Sequence, residues 1–245
     1  MKRGQVTIFV IVGLILVIIL GLLYYFQGDF KIDVKQQRLS SELEETRDFI
    51  YECLEETSKE AVYEVSLQGG YYNLPINSIN NSVPYYHFNG NKDIPNKNVI
   101  EDSISSYVDD TIDFCINDFY VFDNISINAD NIKSKVSIKE SNINILLEYP
   151  ITIEKNDIIV KDDQEYNVNL DIPIISMLDI STNIIFNFIE EDGDICASCI
   201  IDLALDNDIS IELIQGFNED IFILEDKNYE FDDLSYKFVF GVKYQ

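Results

Sequence analysis

The hydrophobic pattern begins with a run that polar residues barely interrupt. Val6–Phe26 contains 21 residues and no charged side chain. An α-helix rises about 1.5 Å per residue, so this run would be about 32 Å long and would match a hydrocarbon core of about 30 Å. It ends in Tyr24, Tyr25 and Phe26, which are typical of a membrane interface. The pattern predicts a transmembrane helix over residues 5–26.

A cleaved secretory signal fits this run less well. Such signals have an apolar region of about 7–15 residues that ends at a small-residue cleavage site, and no such site follows here. Lys2 and Arg3 precede the run, whereas the first acid, Asp29, follows it. Because basic flanks stay in the cytoplasm, we expect a single-pass cell-membrane protein with a cytoplasmic N-terminus and its C-terminal domain outside.

Residues 27–70 have the pattern of an amphipathic helical extension. Apolar or small residues recur at steps of three and four, glutamates fall mostly on the opposite side, and Gly69-Gly70 supplies a stop. Whether this helix extends as a stalk or packs on its own domain stays open. The recurring positions are Leu39, Leu43, Thr46, Ile50, Cys53, Leu54, Thr57, Ala61 and Val65.

A second helix is predicted from Val99 to about Asp118. Asn98 is the expected N-cap, and Glu101 is its expected return partner three residues later. Apolar positions again recur at helical spacing, which gives the helix one face for packing. That face comprises Ile100, Ile104, Val108, Thr111, Cys115 and Phe119.

Beyond this helix the hydrophobic period changes to two, which predicts strands. Asn156-Asp157 forms a tight turn, and short connections favour an antiparallel meander. The stretch 173–189 carries helix and strand signals together, and Ile195–Asp206 predicts a short helix. The predicted strands are Val121–Asn128, Lys133–Lys139, Asn142–Tyr149, Ile151–Lys155, Ile158–Lys161, Ile209–Ile214, Ile221–Leu224 and Tyr236–Tyr244.

These elements predict an α+β fold. A transmembrane helix continues into a long amphipathic helix, and residues 71–245 form an acidic α+β extracytoplasmic domain that is rich in antiparallel strands. Residues 71–98 hold prolines, asparagines and little periodicity, which predicts a long loop. Its aromatic residues are binding candidates if they are exposed, or they fold back over the helix. These residues are Tyr85, Tyr86, His87 and Phe88.

The charge of the chain narrows its possible partners. With 44 acidic and 17 basic residues, the formal net charge is −27. A field of this sign repels phosphate backbones, so nucleic-acid binding is excluded. A solvated acidic surface is the simplest interpretation, and weak cation binding is compatible with it.

The four cysteines indicate disulfides if the domain is exported. Cys53 and Cys115 each lie on the apolar face of a predicted helix, so they either form a bridge or remain two buried thiols. Cys196 and Cys199 form a C-x-x-C, which favours a local disulfide or two core thiols. Zinc would need further ligands, and His87 is the only histidine, so no metal site is predicted.

The sequence predicts neither an enzyme nor a cofactor site. A single histidine gives no pair of nucleophile and base, and the acids are too numerous to single out a catalytic dyad. The acidic run Glu190–Asp194 lacks the alternating ligand spacing of a calcium loop and is interpreted as a turn.

The N-terminal residues Lys2-Arg3-Gly4-Gln5 run directly into the apolar helix. This arrangement resembles the class III signal peptide of archaeal type IV pilin-like proteins. The resemblance implies cleavage by a prepilin peptidase between Gly4 and Gln5 (residues 1–4 being the leader). Bacterial pilins usually carry glutamate at the fifth mature position, where this chain has Phe9. The segment from Cys53 to Tyr71 is similar to one in uncharacterised archaeal proteins with the same kind of leader.

Two hypotheses for function follow. The first is a pilin-like structural or assembly subunit, in which Val6–Phe26 packs against membrane helices of other copies or of envelope proteins. The second is a tethered binding or adhesion module that does not polymerise. In the second, the aromatic residues of the predicted loop and the acidic surface would make the contacts.

Overall fold

A computed structural model describes residues 4–156, 158–190, 194–231 and 234–244. The side chains of residues 4–10, 23 and 25–38 lie outside the description. Four α-helices and twelve strands give the predicted α+β class within these residues. The helices are α1 (Gly4–Leu67), α2 (Lys97–Ile116), α3 (Ile174–Glu190) and α4 (Ala197–Asp206).

Helix α1 is one continuous helix of 64 residues, so the predicted apolar helix and its amphipathic extension are a single element. Its C-terminal half buries the predicted positions at steps of three and four, from Leu39 to Val65. The helix ends because Gly69 and Gly70 take left-handed φ angles of +56° and +86°. A side chain at Gly69 would approach the Val239 carbonyl oxygen to 2.7 Å, which only glycine avoids.

Helix α2 packs its isoleucine-rich face against α1. The prediction of Asn98 as N-cap is wrong: Asn96 caps the helix, and its side chain accepts a hydrogen bond from the Val99 N–H at 3.2 Å. Glu101 accepts from the Ile138 N–H instead of returning to the cap. The buried residues are Ile100, Ile104, Val108, Ile112 and Ile116.

The chain leaves α2 through a turn over residues 117–119. Asn117, Asp118 and Phe119 have φ angles of 45°, 52° and 56°, so the helix cannot continue to Asp118 as predicted. Asn and Asp tolerate this region, whereas a phenylalanine needs support from packing. The buried ring of Phe119 supplies that support by packing in the core.

The largest sheet has six strands in the order β1-β2-β12-β11-β10, with β3 paired to β2. Neighbouring strands are antiparallel except β2 and β12, which are parallel. The prediction of a loop over residues 71–98 is wrong where β1, β2 and β3 form. The strands are β1 (Ser78–Ile79), β2 (Val83–Phe88), β3 (Asn91–Lys92), β10 (Ser210–Gln215), β11 (Glu219–Phe231) and β12 (Leu234–Lys243).

Two three-stranded antiparallel sheets, β4-β7-β8 and β5-β6-β9, replace the predicted single meander. Pro150, which cannot donate a hydrogen bond, separates β6 from β7, and the chain changes sheet there. The sequence analysis missed β9, whose Tyr166, Val168 and Leu170 point inward. The strands are β4 (Ser126–Ala129), β5 (Lys133–Ile138), β6 (Ile143–Glu148), β7 (Ile151–Lys155), β8 (Ile158–Asp162) and β9 (Glu165–Leu170).

The ambiguous stretch 173–189 is the helix α3. Pro173 lies just before it, and the Pro173 carbonyl oxygen accepts from the Met177 N–H at 3.2 Å. Buried residues of α1, α2, α3 and all three sheets form one connected core. The C-terminal half of α1 therefore belongs to the domain that it enters.

Candidate functional site

The N-terminal part of α1 exposes apolar side chains at successive positions. From Ile11 to Leu22 every large side chain is between 46% and 70% exposed, and Tyr24 is 83% exposed. Successive residues of a helix point about 100° apart, so this surface extends all around the helix. In proteins generally, large exposed apolar surfaces are often sites of contact with a membrane or with another protein.

Within the described part of the chain, no helix combines the length and the apolar character needed to cross a membrane. The predicted span Val6–Phe26 includes ten positions between 11 and 22 with large apolar side chains that are described. Its residues 6–10, 23, 25 and 26 have side chains outside the description. The predicted cleavage site lies at the start of α1: Gly4 opens the helix, whereas Lys2 and Arg3 lie outside the described residues.

A disulfide ties α1 to α2. Cys53 and Cys115 are bonded with their Cα atoms 5.6 Å apart, as the sequence analysis allowed. The bond closes a loop across a sequence separation of 62. On the chain-entropy model such a loop contributes about 4 kcal/mol by restricting the unfolded chain. The bridge therefore fastens α1 to the domain near the middle of its buried half.

A bidentate ion pair holds α1 nearer the exposed segment. Arg47 Nε and Nη2 donate to the two carboxylate oxygens of Asp162, each at 2.7 Å, and Asp162 is only 5% exposed. The hydrogen bonds from Arg47 lower the pKa of Asp162, against the opposing effect of burial. Five residues earlier in the helix, Glu42 pairs with Lys155. These two pairs join α1 to the sheet β4-β7-β8 where the helix enters the domain.

The aromatic binding candidates do not form an exposed loop, so the expectation of an exposed surface there is wrong. Tyr85, Tyr86 and His87 are buried in β2, and Phe88 is half-buried. Tyr86 stacks on Phe240 with ring centroids 4.7 Å apart. The physical reason is the parallel pairing of β2 with β12, a contact between residues more than 150 positions apart that local sequence does not encode.

The other cysteines, Cys196 and Cys199, form a local disulfide at the start of α4. The Cys199 N–H donates to Cys196 Sγ at 3.3 Å, so the sulfur also acts as the helix cap.

The only histidine of the chain, His87, packs its ring against the ring of Phe188, and the two ring centroids are 5.2 Å apart. In the predicted acidic turn, residues 191–193 lie outside the described residues.

One feature that the sequence analysis missed is a cavity at the C-terminal end of α2. It has a volume of about 610 Å³, and aspartates from α2, the turn 117–119 and the segment after β4 line it. In the sequence, the only local indication of this cavity is the pair Asp109 and Asp113, which lie about one helical turn apart. The tertiary fold brings Asp118 and Asp130 to the same cavity.

No family model matches this chain, and neither the curated proteins nor the solved structures include a match to it.

Proposed function

We propose that this protein is a membrane-anchored cell-surface protein that serves as a pilin-like structural or assembly subunit. The observation that carries the proposal is the uncovered apolar surface of α1 from Ile11 to Leu22. The other end of the same helix packs in the domain core, so one continuous helix joins the apolar segment to the domain.

A bilayer is the environment that best satisfies this surface. Apolar residues at the centre of a membrane helix each contribute about −0.3 to −0.6 kcal/mol to insertion, so a run of 21 uncharged residues favours the membrane by several kcal/mol. Lys2 and Arg3 favour a cytoplasmic N-terminus, which directs the acidic domain outward. All the acidic residues of this chain, whose net charge is −27, lie after the apolar run, and they keep the domain soluble.

Assembly through this helix is supported by two small positions. Gly13 and Gly21 have open space where a side chain would be, so another helix can approach the backbone there. The resemblance of Lys2-Arg3-Gly4-Gln5 to a class III signal peptide adds a processing step that would expose the apolar helix as the mature N-terminus.

Intact-mass and N-terminal analysis of the protein from its native membrane tests the pilin-like proposal. We expect a chain that begins at Gln5, and we expect Gly4→Val to leave the leader attached because the resemblance places the cut directly after this glycine. Gly13→Val, which changes a glycine inside the same helix, should leave processing intact. A wild-type chain that begins at Met1 or Lys2 would contradict recognition by a prepilin peptidase.

A tethered binding module that does not polymerise is the second candidate, and the cavity at the end of α2 favours it. Oxidative cross-linking separates the two candidates, because both pairs of native cysteines are already bonded. Gly13→Cys or Gly21→Cys in membranes should give dimers if helices assemble side by side. A chain that remains monomeric at both positions would support the tethered module. Leu14→Cys, one position away from Gly13, is a matched control for random collision.

A further inference from the structure

The cavity at the end of α2, here called the acidic cavity, has a composition that points to a ligand. Its volume of about 610 Å³ lies within the range of about 300–1,000 Å³ that is typical of ligand sites. Four aspartates line it, and none of its lining residues is a lysine or arginine. These aspartates are Asp109, Asp113, Asp118 and Asp130.

Among the described residues, no ion pair neutralises the aspartates of the acidic cavity. The ion pairs among the described residues involve Arg47, Lys59, Lys97 and Lys155, and none of them includes a cavity aspartate. Asp109 accepts one hydrogen bond, from the Ser134 N–H at 2.7 Å. The C-terminal end of α2 adds the negative end of its helix dipole. The cavity therefore attracts a cation.

Tyr149 is a second and independent sign of a ligand. It lines the acidic cavity and is only 5% exposed, with its ring stacked on Phe119 at 6.1 Å. Its hydroxyl makes no hydrogen bond to another described residue and is open to the cavity. Burial, and then the charges of Asp113 and Asp118, raise the pKa of Tyr149 to about 12, so the hydroxyl stays neutral. A neutral hydroxyl that faces the cavity without a protein partner is available to accept a hydrogen bond from a ligand there.

The arrangement favours an extended organic cation over a metal ion. Within the described part of the chain, no three His, Cys, Asp or Glu side chains converge as metal ligands. Two aromatic residues that follow lining residues in sequence are exposed: Phe114, after Asp113, is 83% exposed, and Tyr120, after Phe119, is 79% exposed. Lysine and arginine side chains combine a charged head with an apolar stem, and aromatic surfaces bind both parts.

We propose that the acidic cavity binds the guanidinium or ammonium group of an arginine or lysine side chain in a basic segment of a partner protein. The head group contacts Asp113 and Asp118 and donates to the Tyr149 hydroxyl. A partner with positive charge is favoured over a second copy, because copies with a net charge of −27 repel one another. The proposal does not rest on membrane anchoring or on polymerisation.

Fluorescence anisotropy with the full-length protein in detergent micelles tests this proposal. The probe is a labelled peptide of alternating glycine and arginine, and we expect saturable binding. Asp113→Asn with Asp118→Asn should weaken binding about tenfold or more, because both charges that face the head group are lost. Asp202→Asn with Asp206→Asn makes the same change in net charge on the exposed surface of α4 and should weaken binding less than twofold. Equal weakening by both pairs would show diffuse attraction and overturn the proposal.

Tyr149→Phe tests the specific contact, because it removes the hydroxyl and keeps the ring. We expect binding to weaken about threefold to tenfold while the melting temperature stays the same or rises, since no internal hydrogen bond is lost. Wild-type affinity in this variant would contradict the proposed contact. The same peptide with citrulline in place of arginine should not bind. If free arginine amide binds as tightly as the peptide, the ligand is a small cation and the partner-segment proposal is wrong.

Discussion

The two ends of α1 differ both in apolar content and in surroundings. Residues 11–22 expose every large apolar side chain, whereas Ile50, Leu54 and Val65 are fully buried. In the buried half, apolar residues occupy one stripe and glutamates such as Glu52 and Glu56 face water. In the exposed segment there is no polar stripe. A helix with one apolar stripe is stabilised by its own domain, whereas a helix that is apolar all round depends on a second apolar phase.

Charged substitutions in the exposed segment of α1 should have the largest effect, and that effect should be on membrane association alone. Leu16→Asp with Leu20→Asp places two charges in the apolar run, at a cost of roughly 3 kcal/mol each for insertion. We expect the protein to move from the membrane to the soluble fraction on ultracentrifugation, with the melting temperature of the domain unchanged. Leu16→Ala with Leu20→Ala is the matched control and should remain in the membrane. Retention of the aspartate variant would contradict anchoring by this helix.

Removing the disulfide between α1 and α2 should have the next largest effect. Cys53→Ser with Cys115→Ser is expected to lower the free energy of unfolding by about 4 kcal/mol, because the unfolded chain regains its freedom. Urea denaturation of the full chain in detergent measures this loss. Cys196→Ser with Cys199→Ser opens only a short loop and should destabilise the domain less. A loss of similar size in both variants would argue against the loop-closure explanation.

Truncating one leucine in each half of α1 compares the two halves directly. Leu54→Ala should lower the free energy of unfolding by about 2–5 kcal/mol, because it leaves a cavity in the core. Leu16→Ala should leave that free energy unchanged within error, because Leu16 is 54% exposed and contacts no core. Thermal unfolding of both variants measures the difference. A destabilised Leu16→Ala domain would mean that the exposed segment folds back onto the domain.

Breaking the ion pair between Arg47 and Asp162 should have the smallest effect on the free energy of unfolding, and this effect should depend on pH. Asp162→Asn should lower the free energy of unfolding by about 1–3 kcal/mol at pH 7. The pKa of Asp162 is lowered in the folded state, so its contribution is present above the unfolded value of about 3.9 and is lost as pH falls through the folded value. The gap between wild type and Asp162→Asn should therefore shrink at acidic pH. Glu56→Gln, an exposed change on the same helix, should give a difference near zero throughout.

Local patterns predicted the elements that are stabilised by neighbouring residues. The helical period predicted the buried half of α1 and the helix α2, and the period of two predicted the strand β12. The helical faces also put Cys53 and Cys115 on apolar surfaces, which left a bridge between them open. By contrast, β9 was missed although Glu165–Leu170 alternates, because it lies in a short polar stretch whose partner β6 is distant in sequence.

The candidate sites divide in the same way. The apolar run, its basic flank and the Gly4-Gln5 resemblance are contiguous in sequence and require no fold to be recognised. The acidic cavity combines Asp113, Asp118, Asp130 and Tyr149, which come from a helix end, a left-handed turn and the ends of two strands. No local rule places these side chains together.

By itself the sequence determined the α+β class and the long helix near the N-terminus, because hydrophobic period and composition act over short distances. It left open whether each cysteine pair is bonded, which the structure decided. Only the tertiary structure decided that Tyr85 and Tyr86 are buried in β2. It also decided the division into three sheets and the convergence of aspartates on the cavity that Tyr149 lines. Strand pairing and cavity lining depend on contacts between distant residues, whose loop-closure entropy and packing are properties of the whole fold.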